Sequence, residues 1–180
     1  VTSLVLPPGA PERFAPSITG LLAMTCDPSQ ANSSLQPTTN DANAFWVPVP
    51  VAVVVSQVWV SVVTAGITLT AAQNLITLHD RLGNLLATTP DQSAAWLSGG
   101  NMAASLGGSF TLVPPGMWVQ VLSVGTTTPV FRSGASSPSD NLGPLATLRS
   151  QRVALGAISL GSFNPATSVT ARNLQLVGLS

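Results

Sequence analysis

The sequence predicts an all-β chain, a sandwich of the jelly-roll type, and three observations carry that expectation. Its apolar segments are short and rich in valine, which suits strands better than helices. Turn-forming Gly, Pro, Ser and Asn separate them at close intervals, with 15 Gly and 15 Pro in 180 residues. Residues 57–62 alternate strictly, with Val58, Val60 and Val62 on one face and Gln57, Trp59 and Ser61 on the other.

Taken in order, residues 1–43 read as an extended N-terminal arm and residues 44–180 as the sandwich domain. In the arm, Pro7, Pro8, Pro11 and Pro16 lack amide donors and hold their predecessors in extended geometry, so a helix is disfavoured. One short apolar stretch, residues 18–26, is a candidate strand. Such an arm buries little of itself, and Leu4, Leu6 and Phe14 are expected to lie against a neighbouring subunit, with Phe45 and Trp46 at its base as further assembly contacts.

The run FWVPVPVAVVVSQVWVSVV, residues 45–63, is long enough to cross a bilayer. Pro48 and Pro50 interrupt it, Ser56 and Gln57 sit at its centre, and no Lys or Arg flanks it, so no membrane span is expected. Val51, Val53 and Val55 have the opposite parity to Val58, Val60 and Val62. Either this strand is buried on both faces or a bulge near Ser56 switches its phase.

Residues 74–79 place Ile76 and Leu78 opposite Thr77 and His79, and the turn-forming sequence DRLGN at 80–84 leads to Leu85 and Leu86, which reads as a hairpin. A helix competes, because Thr70 to Gln73 fits a capping box and Leu75, Leu78, Leu82, Leu85 and Leu86 follow helical spacing. A second hairpin is expected where residues 110–113 meet Pro114-Pro115-Gly116 and then residues 117–124. Residues 130–131, 152–160 and 174–179 supply further short strands, and residues 133–144 a polar loop.

Charge excludes several functions. Only 7% of the residues are charged, six Arg against six acids with no Lys, for a net charge of zero; about 25% is usual. The scattered arginines offer no basic stripe, so nucleic acid is not an expected partner. Chemistry that needs a lysine ammonium is absent, as is a phosphate loop. Lone Cys26 and lone His79 cannot form the common zinc sets, and no cofactor or metal site is expected. The amino-terminal residues lack the basic start and apolar core of a secretory leader. With 45% hydrophobic residues and few charges, an isolated copy would be poorly soluble, which points to assembly with other chains.

Catalysis is not expected. No G-x-S-x-G element occurs, and His79, on the polar face of its strand beside Asp80, reads as a solvated side chain. Glu12, Asp27, Asp41, Asp80, Asp91 and Asp140 are spread through arm and loops as turn formers. The four tryptophans carry more weight, since aromatic side chains dominate interfaces. Trp118 is expected in the core. Trp59 is either covered by a second layer or presented to a partner, and Trp96, in a Ser/Gly-rich loop, is a surface candidate; both are named as surface-binding positions.

The order of features across residues 51–131 resembles the β-rich domains of minor tail, fibre and head-fibre proteins of tailed phages that infect actinobacteria. The matching elements are the valine strand centred on Val58-Trp59-Val60, the T-A-x-Q-N lead at 70–74, His79-Asp80, the G-N-L-L-A return at 83–87, the P-P-G-x-W-V strand at 114–119 and G-T-T-x-P at 125–129. The resemblance implies a jelly-roll-like sandwich, commonly a homotrimer, displayed on a virion, and it favours the hairpin at 74–86. It transfers no catalytic residue. The expected function is a non-enzymatic virion structural protein, a minor tail or fibre-like surface protein that contacts other virion proteins and a host-surface glycan. Capsid decoration or a head fibre is the alternative, and a carbohydrate-binding module of a secreted bacterial protein a further one.

Overall fold

The computed structural model describes residues 20–25, 31–134, 150–154, 161–163 and 175–180. These residues form β-strands that pair only antiparallel, together with one short 3-10 turn at Ala95–Leu97. The all-β expectation therefore holds. None of the described helical segments is long and apolar enough to cross a membrane.

The first sheet is built on β4 (Val53–Thr64). Its long neighbour β8 (Gly100–Leu112) lines one edge, while β13 (Val177–Leu179) and β11 (Val130–Ser133) share the other. Beyond these lie β1 (Ala23–Met24), paired with β13, and β2 (Ser33–Leu35), paired with β11. The second sheet has the order β12 (Ser150–Ala154), β3 (Asp41–Pro48), β9 (Gly116–Leu122), β6 (Leu75–His79) and β7 (Leu85–Thr88). A small ladder joins β5 (Ile67–Leu69) to β10 (Gly125–Thr127).

The two larger sheets share one apolar core. Phe45, Val47, Ile76, Leu78, Met117, Val119 and Val121 from one meet Val55, Val58, Val60, Val62, Leu112, Phe131, Val177 and Leu179 from the other. The alternation in β4 requires this arrangement, because period-two valines present one continuous face. The register against β8 shifts between Val55 and Gln57, so a bulge at Ser56 carries the inward face from Val53 and Val55 to Val58, Val60 and Val62. Of the two readings of this strand, the phase switch is the one realised.

The hairpin at 74–86 is formed, with Leu78 opposite Ala87 and His79 opposite Leu85. Asp80 organises its turn: one carboxylate oxygen accepts from the amides of Leu82 (2.8 Å) and Asn84 (2.9 Å), and the other from the Asn84 side chain (2.7 Å). Gly83 occupies φ +87, the left-handed region this turn demands. Helical leucine spacing loses here because turn chemistry and burial on both strand faces select the extended form.

Two expectations about organisation are corrected. The Pro114-Pro115-Gly116 segment does not close a hairpin: β8 belongs to the first sheet and β9 to the second, so the chain crosses from one layer to the other. The Pro114–Pro115 peptide is cis. At Gly116 an added Cβ would meet the Val47 carbonyl and sit 2.6 Å from the Trp46 ring, so glycine is required where the crossing chain joins β3. The boundary placed at residue 43 falls inside β3, and the described parts of 1–43 supply β1, β2 and the start of β3, which belong to both sheets. Short polar strands of this kind are drawn in by backbone pairing rather than by apolar patterning.

Candidate functional site

The outer face of the second sheet is buried, which overturns the solvated reading of His79. Phe163 sets its ring edge-on to His79 (centroids 5.0 Å apart) and to Trp118 (5.8 Å). Its amide donates to the Gly83 carbonyl at 2.9 Å. Beneath it His79 is fully buried. Because a carbonyl can only accept, the 3.2 Å contact to Gly83 O places the proton on Nδ1, and Nε2 then accepts from the Thr77 hydroxyl at 2.7 Å. Burial holds the imidazole below its ordinary value of 6.5, opposed by the Gly83 carbonyl, the Asp80 charge and Gln120. Both ring nitrogens are thus occupied within the β6–β7 hairpin itself. Among the described residues no group of three or more His, Cys, Asp or Glu is placed to bind a metal.

The tryptophans divide by environment. Trp96 is fully buried, edge-on to Phe131 at 5.1 Å, so its assignment to a binding surface is corrected. The 3-10 turn folds the loop inward: the Trp96 amide donates to Gln92 O and its carbonyl accepts from Gly66, each at 2.9 Å. A Ser/Gly-rich neighbourhood signals a loop but not the direction of its largest side chain. Trp118 is buried as expected, although on the covered outer face.

Phe45 lies wholly in the core, where it is unavailable to a second chain, and that assembly contact is withdrawn. Trp46 is half-buried and packs edge-on against Trp118 at 5.2 Å, so part of it serves the fold. Leu4, Leu6 and Phe14 lie outside the described residues.

Trp59 stands on the outer face of the first sheet. Its cross-strand neighbours are small, Gly178 on β13 and Ala103 on β8. One row away Ser61 faces Asn101 beside Leu176, and on the other side Gln57 faces Ser105 and pairs with Ser180. The indole N–H donates to the Ser180 hydroxyl at 2.9 Å, which fixes the ring in place. Gly20, Leu21, Trp59, Val60, Ser61, Asn101, Leu176 and Gly178 line a pocket of about 380 Å³ here. None of these residues is charged. The period-two pattern placed Trp59 on this face; the strands that flank it with small residues were not legible.

A second concavity, of about 560 Å³, opens where β1, the turn after β3 and the layer crossing meet; its walls are Leu22, Ala23, Met24, Pro48, Val49, Pro50, Pro114 and Pro115. Leu22 is exposed in it, and Val51 and Val113, next to Pro50 and Pro114 in the chain, are exposed as well. The lining carries no charge, and its prolines leave few amide donors.

Compared with known protein families and with curated proteins, the chain matches no family model and none of those proteins.

Proposed function

We propose that this chain is a non-enzymatic structural protein of a tailed-phage virion, a jelly-roll-like sandwich that assembles as a homotrimer and is displayed on the particle surface as a minor tail or fibre-like protein. The observation that carries the reading is the uncharged, proline-walled apolar concavity with exposed Leu22, Val51 and Val113 around it, on a chain whose net charge is zero. Exposed apolar surface of this kind marks an interaction site, and copies with no net charge do not repel one another as they associate. The resemblance of residues 51–131 to phage tail and head-fibre domains supplies the setting.

Gold-labelled antibody against the protein, applied to intact particles, tests the reading. Label on tail or fibre supports it. Label confined to capsids would favour the decoration or head-fibre alternative, and particles that carry none of the protein would refute it. The Trp59 pocket favours one further reading, a carbohydrate-binding module on a secreted bacterial protein, and the same particle experiment separates the two.

A further inference from the structure

We infer that the Trp59 pocket is a binding site for a neutral saccharide, with one pyranose ring stacked on the indole. The inference gives the ligand class for the host-surface glycan contact that the sequence leads one to expect, and rests on the surface display proposed above for its biological setting.

One large aromatic, Trp59, stands half-buried on an outer sheet face. On one side Ala103 offers almost no side chain, while on the other the Leu21 side chain lies over Gly178 and walls the pocket. The half-buried indole stays approachable from the Ala103 side, with Leu21 as an apolar wall across from it. The hydrogen bond to Ser180 removes the ring's rotational freedom before any ligand arrives, which lowers the ordering cost of binding. The Ser61 hydroxyl and the Asn101 carboxamide sit one row away, and among the described residues neither is engaged by another group. Together they offer donors and acceptors at the margin of an apolar platform, the pairing that a sugar's carbon-bound hydrogens and its ring of hydroxyls require.

Charge selects within that class. No residue lining the pocket is ionised, so a sulfated, sialylated or phosphorylated glycan would lose hydration of its charge without compensation. The volume of about 380 Å³ falls within the roughly 300–1,000 Å³ of small-ligand sites.

Binding of the full chain to uncharged gluco-, galacto-, manno- and arabino-oligosaccharides, with sulfated and sialylated glycans as controls, provides the test by calorimetry. At least one neutral oligosaccharide is expected to bind, and Trp59→Ala to weaken it about tenfold or more, equivalent to roughly 1.4 kcal/mol. Trp59→Phe keeps a stacking face without the bond to Ser180 and retains most of the affinity. Asn101→Ala, at an exposed position, reduces affinity while leaving the thermal transition unchanged, so loss of binding is distinguishable from loss of fold. The inference is overturned if the folded chain binds no neutral sugar at millimolar concentration, if it prefers the charged controls, or if Trp59→Ala alters the number of associated copies instead. Sugar binding by a protein missing from particles would support the inference and sink the virion reading; particle labelling without sugar binding would do the reverse.

Discussion

Replacement of Asn74 by alanine probes how the loops at one end of the fold are tied together. The side chain is fully buried. Its Nδ2 donates to the carbonyls of Thr70 (2.7 Å) and Val124 (3.2 Å), and its Oδ1 accepts from the Ser123 hydroxyl (3.1 Å) and the Val124 amide (3.0 Å). Its backbone carbonyl takes the Gln92 amide at 2.7 Å. One carboxamide therefore uses its donors and acceptor on two other turns. Alanine would take the Oδ1 partner from the buried Val124 amide and Ser123 hydroxyl, and one of two bonds from the Thr70 and Val124 carbonyls, which keep the amides of Gln73 and Thr70. At about 1 kcal/mol per net bond, rising where a buried group is left unsatisfied, the loss amounts to about 3–5 kcal/mol. For a chain of this size that lowers the midpoint of thermal unfolding by roughly 6–20 °C. Ser123→Ala removes one of the four bonds and leaves Oδ1 its Val124 partner, for about 1 kcal/mol. Differential scanning calorimetry of both variants reads the contrast, and equal small shifts for the two would refute the hub.

The remaining predictions concern the aromatic core and the buried imidazole. Trp96→Ala should cost about 3–5 kcal/mol by opening a cavity against Phe131, whereas Trp96→Phe should cost far less, because the indole Nε1 it removes has no hydrogen-bond partner; urea titration separates them. His79, with its folded pKa below 6.5, binds a proton in the unfolded chain before it does in the folded one. Stability should therefore be level above about pH 6.5 and fall as pH drops from there toward the lowered folded value. Asp80 and Asp91 are also lowered, their hydrogen bonds outweighing burial, and they contribute a separate loss only below about pH 4. Chemical denaturation of His79→Gln between pH 5 and 7 should show a flatter profile than the parent chain, and an unchanged slope would contradict the assignment.

What could be read in the sequence follows the strength of its periodic signal. Val58, Val60 and Val62 revealed their face, the opposite parity upstream left a bulge near Ser56 or burial on both faces as the two readings until the register against β8 decided for the bulge, and Asp80 with Gly83 marked a turn. Partners of a strand leave no such mark. Pro114-Pro115-Gly116 has the chemistry of a hairpin, and only the long-range pairing of β9 with β3 and β6 turned it into a crossing. The strand at 41–48 was obscured by Asp41, Asn43 and the prolines around it, since its small outer residues Ala42 and Ala44 make no apolar stripe. His79 and Trp96 misled for a shared reason: a local pattern says which side of a strand or loop a residue occupies, and says nothing about what distant chain will cover that side. Phe163, 84 residues beyond His79 in the sequence (163 minus 79), does the covering.

Sedimentation equilibrium of the full chain at micromolar concentration tests most directly the proposal that further copies cover its exposed apolar surface. A species with three times the 18.3 kDa of one chain, dissociating when Leu22 and Val113 are both replaced by Asp, is the predicted result. A soluble, monodisperse single copy that stays so across the concentration range would contradict it.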